Sequence, residues 1–215
     1  AQLIFTKNGL NSIPLIKANP YQLTDISGIG FLTADGIARN LGFDKNSPHR
    51  ASAGLLYILE QQALNGHTWF PHQTLLEKTA QELDIQEEML KSSIRQLLDD
   101  SLLHSEKIQN INAEEEKLIS RPRFYKAEQR VAENMYRILN SEAYTIFEGE
   151  SSLIDEQERK LGLQLDPAQR EAVEAALKHK VLIITGGPGT GKTTIVRFML
   201  RLMRPRIPSI GLAAP

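Results

Sequence analysis

The sequence predicts a mostly α-helical N-terminal region followed by the beginning of an α/β domain. Three observations support this fold class. Apolar residues recur at helical spacing through most of residues 19–100. Two β-like stretches flank a polar turn at residues 110–116, and a short apolar run at residues 181–185 leads through a glycine-rich loop into another amphipathic helix. With 215 residues, the chain is long enough for one large domain or two small ones.

Composition restricts the classes of function. Hydrophobic residues make up 41% of the chain and charged residues 24%, as is typical of soluble globular proteins. Because the net charge is −1, any nucleic-acid contact must rely on local groups rather than on a global field. The absence of cysteine excludes disulfides and thiolate metal sites and suits a cytoplasmic location. No apolar run approaches the roughly 20 residues of a membrane span, so we expect no membrane partner. The first residues lack a signal-peptide pattern and a Met, so we expect that the N-terminus is not native.

The first 43 residues predict two pairs of short helices. Residues 1–18 predict two helices that meet at Gly9. The segment that starts at Asn19-Pro20 predicts a helix, an interruption at residues 27–30, and a second helix from Phe31 to about residue 40.

The stretch ISGIGFLTA, residues 26–34, is the first motif that bears on function. Gly28 and Gly30 flank Ile29 between two predicted helices, as in a helix–hairpin–helix. In such a motif, Ser27, Gly28, Ile29 and Gly30 would approach a nucleic-acid backbone closely, and the N–H groups that begin the second helix would bind a phosphate. This binding ignores base sequence and needs little net positive charge. The alternative is a tight turn that serves only packing or partner docking.

Residues 48–120 predict a compact helical module. An amphipathic helix at residues 48–65 is followed by two more, over residues 71–85 and 86–103, and then by the β-hairpin. This order is that of a winged-helix module. A plain helical core with a β-hairpin explains it equally well.

A strongly amphipathic helix is predicted at residues 121–140. Its start is basic, which the helix dipole disfavours. The cations are Arg121, Arg123, Lys126 and Arg130. They form either a solvated face or a patch that contacts phosphate. A shift in composition then places a domain boundary near residues 145–160. We therefore divide the chain into residues 1–18, 19–110, 111–160 and 161–215.

The segment GGPGTGKT, residues 186–193, matches the pattern G-x-x-x-x-G-K-[ST] of a phosphate-binding loop without a mismatch. Glycines let backbone N–H groups wrap a triphosphate, and the positive end of the following helix faces the same phosphates. Lys192 would supply a point charge for the β- and γ-phosphates, and Thr193 a hydroxyl for Mg²⁺. A fortuitous glycine-rich turn is the alternative.

The surroundings of this loop agree with its pattern. Residues 181–185, VLIIT, predict a strand buried on both faces, and residues 208–215 predict a second short strand of the same sheet. Upstream, LDPAQREAVEAAL predicts a helix capped by Asp166. Gln169 on that helix can present one donor and one acceptor to an adenine edge.

Together these motifs resemble one helicase family. NPYQL, GIGFLTADGIARNLGF, RPRFYKAEQRVAENM, LDPAQREAV and ITGGPGTGKTT occur in this order in the RecD/TraA branch of superfamily 1B DNA helicases, the RecD-like group related to the exodeoxyribonuclease V alpha subunit. The resemblance implies that residues 161–215 begin a RecA-like P-loop domain. It also implies that residues 1–18 are the tail of an upstream helical hairpin module, and the terminal GLAAP is similar to the start of the next family motif.

The resemblance further implies cofactors, residue roles and partners. The cofactors would be ATP and Mg²⁺, with Lys192 and Thr193 as catalytic groups, Thr193 as the Mg²⁺ ligand and Gln169 on adenine. The phosphates would lie on Gly187, Pro188, Gly189, Thr190, Gly191, Lys192, Thr193 and Thr194. The activity would be that of an ATP-dependent 5′ to 3′ DNA helicase or translocase of repair and recombination. Its substrate would be single-stranded DNA or DNA with a 5′ overhang, and its partners those of a repair complex.

We expect the sequence to be a piece of such a helicase. Family members also need an acidic motif and arginines from a second motor domain, and no such segment follows residue 200. We therefore expect that these 215 residues alone do not hydrolyse ATP at a useful rate. The alternatives are a non-enzymatic DNA-binding or partner-docking module, and an unrelated P-loop NTPase, which leaves residues 19–43 unexplained.

Overall fold

A computed structural model of the chain describes residues 12–109, 113–142, 150–207 and 209–213. The chain divides into two compact units, residues 1–129 and residues 130–215. We call them the N-terminal unit and the C-terminal unit. The predicted helix before Gly9 lies outside the described residues, and the four domain limits drawn from the sequence remain a prediction.

The N-terminal unit begins with two short helices and a turn. Helix α1 (Ser12–Ala18) leads to a 3₁₀ helix (Pro20–Asp25), which is capped because the Asn19 side chain accepts a hydrogen bond from the Tyr21 N–H at 3.0 Å. Helix α2 (Phe31–Asn40) has the bounds predicted from the sequence. A small core joins these elements, and its buried members are Tyr21, Leu23, Ile26, Phe31, Ala34 and Ala38.

The rest of this unit is a helical module with a small sheet. Its elements in chain order are α3 (Pro48–Leu64), β1 (Trp69–Pro71), α4 (His72–Leu83), α5 (Glu87–Asp99), β2 (His104–Gln109) and β3 (Glu115–Ser120). The strands pair antiparallel in the order β1-β3-β2. Fully buried Ile119 of β3 lies opposite Phe70 on one side and Ser105 on the other, so the sheet is tied to the helical core.

Helix α6 (Pro122–Asn140) is the predicted amphipathic helix. Among the described residues of α6 none is buried, and Val131 on its apolar face is 62% exposed. The sequence of α6 is therefore amphipathic as predicted, but none of its apolar side chains is buried in this structure.

Beyond the second half of α6, the described residues of the C-terminal unit form three helices. They are α7 (Glu150–Leu161), α8 (Pro167–Lys178) and α9 (Lys192–Met203). Their core consists of Ile154, Leu165, Val173, Ile195, Phe198 and Leu202. Outside this core, Arg170 of α8 forms ion pairs with two residues of α7, Asp155 at 2.7 Å and Glu158 at 3.2 Å.

The two strands predicted in this unit are wrong for the residues described. Residues 181–185 and 209–213 form no hydrogen-bonded strand, and Ile183 is 79% exposed. A parallel strand exists only through hydrogen bonds to neighbouring strands. The described part of this unit places no strand alongside either segment. The wider prediction is confirmed: the described residues are mostly helical and include a small three-stranded sheet, and a P-loop segment follows the N-terminal region. Across the described ranges, no helix has the length and apolar character needed to cross a membrane.

Candidate nucleotide loop and DNA-binding turn

The glycine-rich loop, residues 186–191, runs directly into α9. Gly189 and Gly191 have φ values of +78° and +80°, in the left-handed region that favours glycine. A Cβ added at Gly187 or Gly189 would meet no atom within 4 Å, so both positions face open space. Gly191 also offers α9 no side-chain cap, so the first N–H groups of that helix stay available to an anion. The loop therefore fits a phosphate group in both shape and charge.

Lys192 directs its ammonium group onto this loop. Its Nζ donates to the carbonyls of Gly186 at 2.6 Å and Gly187 at 2.5 Å, and it lies 3.4 Å from Thr190 Oγ1. Thr190 Oγ1 in turn donates to the Gly187 carbonyl at 3.0 Å. The Lys192 ammonium group, which the sequence predicts to bind phosphate, thus lies within the loop. Phosphate oxygens could replace the carbonyl oxygens to which it donates.

Gln169 connects α8 to the loop. Its Oε1 accepts from the Asp166 backbone N–H, and its Nε2 donates to the Thr190 carbonyl, both at 3.3 Å. A Cβ at Gly191 would lie 2.5 Å from Nε2, so this contact depends on the glycine. The amide assigned to adenine therefore bridges a helix and the phosphate loop in this structure, and its contact with adenine remains a prediction.

The other predicted nucleotide-binding residues lie on the surface. Pro188, Thr193 and Thr194 are all exposed. Thr194 also borders a small depression with Leu161 and Phe198. The role of Thr193 as a Mg²⁺ ligand stays a prediction.

The predicted DNA-binding residues form one exposed turn before α2. Ser27, Gly28 and Gly30 are exposed, whereas Ile29 is half-buried against the small core. Gly28 has a φ of +88°, and the Ile29 N–H donates to the Ile26 carbonyl at 3.0 Å, which closes the turn. Gly30 is the N-cap of α2 and has no side chain to cap it, so the first N–H groups of α2 point to no capping group.

A buried ion pair fixes the position of this turn. Asp35 of α2 accepts hydrogen bonds from Arg50 Nε at 2.7 Å and Nη2 at 3.2 Å, and from the Tyr21 hydroxyl at 2.8 Å. Arg50, only 2% exposed, also donates to the carbonyls of Lys45 at 3.0 Å and Leu83 at 2.8 Å. One carboxylate therefore joins the elements on both sides of the turn to α3.

This network shifts two pKa values in opposite directions. Burial by itself would raise the pKa of Asp35, but the hydrogen bonds from Arg50 and Tyr21, with the charges of Arg50 and Arg39, outweigh it and lower the pKa below its usual 3.8. Burial, and then the hydrogen bond to Asp35, raise the pKa of the Tyr21 hydroxyl. Asp35 is therefore ionised and Tyr21 neutral at physiological pH.

The sequence motifs did not predict these supporting residues. Arg50 lies on the same face of α3 as Gly54 and Ile58, which follow at steps of four, and all three are buried. An arginine on the apolar face of a helix is the signal that could have revealed it, because a buried guanidinium needs a carboxylate partner.

Two family matches agree with this geometry. Residues 1–69 match the family described as the ATP-dependent RecD2 DNA helicase HHH domain, and residues 169–215 match the family described as the AAA domain. The exposed turn lies within the first match and the phosphate loop within the second. The first of these matches is to a domain of RecD2 DNA helicases. It confirms the resemblance that the motifs indicated.

Two relatives show the same similarity to RecD-like helicases. The ATP-dependent RecD2 DNA helicase of Deinococcus radiodurans is 25% identical over 217 residues, which cover 96% of this chain and 29% of that protein. The RecBCD enzyme subunit RecD of Mycobacterium tuberculosis is 51% identical over 55 residues, which cover 22% of this chain and 9% of that subunit. The chain thus spans less than a third of the length of these RecD-like relatives.

Proposed function

We propose that this chain supplies an ATP-binding loop and a DNA-associated N-terminal region to an ATP-dependent 5′ to 3′ DNA helicase of repair or recombination. The observation that carries the proposal is the pairing, in one chain, of a RecD2-type helix–hairpin–helix segment with a phosphate loop that opens α9. The D. radiodurans relative, similar over 96% of the chain, is named an ATP-dependent DNA helicase.

The chemistry of the loop follows from groups already described. The N–H groups of Gly187, Gly189, Thr190 and Gly191 and of the start of α9 would bind the phosphates, because they carry partial positive charge. Gly187 and Gly189 also face open space, which leaves room for the ligand. Lys192 would exchange the carbonyls of Gly186 and Gly187 for phosphate oxygens. Thr193 would hold Mg²⁺, which neutralises charge on the β- and γ-phosphates when bound. Gln169 would present its remaining donor and acceptor capacity to adenine.

Unwinding by the full-length protein tests this proposal. We expect Lys192→Ala to abolish ATP-dependent separation of a duplex with a 5′ single-stranded tail. Lys160→Ala is the matched control, because it removes a lysine of the same unit whose exposed ion pair with Glu156 lies on α7. Unwinding that survives Lys192→Ala would remove the loop from the mechanism. Equal unwinding of 3′-tailed and 5′-tailed duplexes would refute the polarity.

We also propose that the 215 residues alone hydrolyse ATP too slowly to be useful. Phosphoryl transfer to water depends on positioning and on charge stabilisation from several groups, of which Lys192 and Thr193 supply only part. Steady-state phosphate release by this chain, stimulated by single-stranded DNA, would contradict the proposal.

A second candidate function is a non-enzymatic DNA-binding module. The exposed Gly28–Gly30 turn and the uncapped start of α2 favour it, since both suit a phosphate of a DNA backbone. Replacing Gly28 and Gly30 by valine should weaken the binding of labelled DNA in fluorescence anisotropy. Unchanged binding would place the DNA contact elsewhere.

We propose in addition that residues 48–120 are a winged-helix module. The order helix, strand, helix, helix, strand, strand and the sheet order β1-β3-β2 support it. Acidic Glu87 and Glu88 begin α5, the helix before the hairpin, which would make that helix a poor reader of DNA grooves.

A further inference from the structure

A groove in the N-terminal unit carries an unused hydrogen-bond donor. Within the part of the chain that the structure describes, Arg121 Nε is the one buried side-chain nitrogen or oxygen that lacks a hydrogen-bond partner. Arg121 lines a groove of about 530 Å³, together with Ile29 and Gly30 of the DNA-binding turn. A buried donor without an acceptor destabilises the free protein, so an acceptor supplied by a ligand would recover that free energy.

The backbone of Arg121 is held firmly at the junction of β3 and α6. Its carbonyl accepts hydrogen bonds from the Phe124 N–H at 3.0 Å, the Tyr125 N–H at 3.3 Å and the Ser120 hydroxyl at 3.2 Å. Ser120 is fully buried, and its single hydroxyl proton is shared between this carbonyl and the closer Thr68 carbonyl at 2.7 Å. The guanidinium is therefore carried by a fixed anchor, as a binding group requires.

The walls of the groove combine apolar and polar surface. Leu56, Tyr57 and Leu102 supply apolar and aromatic area, and Leu102 is 47% exposed. The volume lies within the roughly 300–1,000 Å³ of known ligand sites. A cation beside an aromatic and apolar wall is the chemistry of single-stranded nucleic-acid sites, where phosphates meet arginine and bases lie on side chains.

Two carboxylates in the groove limit its net positive charge. Glu60 is paired with Arg123 through both carboxylate oxygens, and the charges of Glu60 and Asp25 help to keep Arg121 protonated. Burial and the nearby charge of Arg123 lower the pKa of Arg121. The net electrostatic attraction of the groove for DNA is therefore weak. Binding must depend on the hydrogen bond that Arg121 Nε can donate.

We propose that this groove holds a single DNA strand that continues from the Gly28–Gly30 turn, with one phosphate on Arg121. The proposal rests on the DNA-associated role given above to the N-terminal region. It adds a second phosphate contact, which lies outside the turn, and it gives the unpaired donor an acceptor. It also specifies single-stranded DNA, because only unpaired bases can reach the apolar wall.

Fluorescence anisotropy with a labelled oligothymidine, measured with this 215-residue chain at several salt concentrations, tests the proposal. Arg121→Gln should weaken binding about tenfold or more, as expected for a lost hydrogen bond to a charged group. It should also reduce the slope of log K against log salt by about 0.7, the value for one phosphate of a single strand. Arg121→Lys keeps the charge but not the planar donors, so it should lower the affinity and leave the salt slope unchanged.

Lys126→Gln is the matched control, because it removes one charge from an exposed residue of α6, the helix that follows Arg121, and Lys126 does not line the groove. We expect it to change affinity less than about twofold. Thermal unfolding shows whether the variants fold. Because Arg121 Nε bonds to nothing in the free protein, the Tm of Arg121→Gln should equal or exceed that of the parent chain. If Arg121→Gln does not fold, Arg121→Lys carries the test.

The outcomes separate this inference from the proposed function. If the parent chain binds the oligonucleotide and valine at Gly28 and Gly30 abolishes binding, but Arg121→Gln behaves like Lys126→Gln, the turn binds DNA and the groove does not. An equal loss of affinity for blunt duplex refutes the single-strand assignment. If the parent chain binds no DNA at all, the DNA-associated role fails, and the groove inference fails with it.

Discussion

Two exposed glycine-bearing turns, each at the start of a helix, are supported in different ways. The turn at residues 27–30 is joined to a core in which Asp35, Tyr21 and Arg50 form buried hydrogen bonds. The loop at residues 186–191 is held chiefly by half-buried Lys192 and Gln169, through hydrogen bonds to backbone carbonyls at the surface. The first turn is fixed by packing, whereas the second is fixed by bonds that a ligand can replace.

This difference suits two kinds of anion. A DNA backbone that is bound without regard to sequence needs donors already in place, since ordering them on binding would reduce affinity. A nucleotide that is bound and released in every cycle needs a loop whose internal bonds are weak enough to exchange. Substitution of Arg50, which supports the first turn, should therefore destabilise the protein more than substitution of Gly191 or Gln169, which support the phosphate loop.

Arg50→Met should have the largest effect, because it leaves the Asp35 carboxylate buried without its main partner. We expect a loss of about 3–5 kcal/mol in the free energy of unfolding, measured by urea denaturation. Lys160→Met breaks only an exposed ion pair and should leave the urea midpoint nearly unchanged.

The double variant Asp35→Leu/Arg50→Met sharpens this test. Removing both charges should recover much of the stability that Arg50→Met loses, since no buried charge is left unpaired. If Arg50→Met alone is no worse than Lys160→Met, the buried pair does not hold the turn.

Acid should reversibly weaken the Asp35–Arg50 ion pair that supports the turn at residues 27–30. Because the pKa of Asp35 is lower in the folded state than its usual 3.8, its ionisation stabilises the fold above that value, and this stabilisation is lost as pH falls through the folded pKa. Urea midpoints should therefore fall more between pH 7 and pH 3 for the parent chain than for Asp35→Asn. Equal falls would show that other groups govern acid sensitivity.

Gly191→Ala should have a moderate effect on the phosphate loop. An alanine at a φ of +80° costs about 1–2 kcal/mol, and its Cβ would also displace the Gln169 amide. We expect stability to fall by that amount and nucleotide affinity by about tenfold or more. Gly187→Ala is the control for stability, because its Cβ meets no atom within 4 Å, and its Tm should match that of the parent chain.

Gln169→Ala should have the smallest effect on stability. It removes two exposed hydrogen bonds of 3.3 Å, so we expect a loss of about 0.5–1 kcal/mol by thermal unfolding. Gln164 is an exposed glutamine of the same unit, and Gln164→Ala should leave the Tm unchanged. A loss of several kcal/mol would mean that the loop is held as firmly as the turn at residues 27–30.

The helices of the N-terminal unit could be predicted because their signals are local. Asn19-Pro20, the glycines before Phe31 and the apolar periodicity of residues 48–64 each act within one or two turns of chain. Strand β1 could not be predicted, since three residues ending in Pro71 become a strand only by pairing with Leu118–Ser120, about fifty residues away. The same dependence on partners made the strand prediction for residues 181–185 wrong.

The candidate sites were predictable to the extent that they are contiguous in sequence. The phosphate loop and the Gly28–Gly30 turn each occupy fewer than ten consecutive residues, so spacing alone revealed them. The Asp35–Arg50 pair and the groove at Arg121 join residues that are 15 and about 90 positions apart, and only the fold brings their parts together.

Binding of a fluorescent ATP analogue to the 215-residue chain tests the central claim most directly, because it needs neither hydrolysis nor a further domain. We expect saturable binding by the parent chain that strengthens with Mg²⁺, equal binding by Lys160→Ala, and at least about tenfold weaker binding by Lys192→Ala. If Lys192→Ala binds the analogue as tightly as the parent chain, the loop at residues 186–191 is not a nucleotide site.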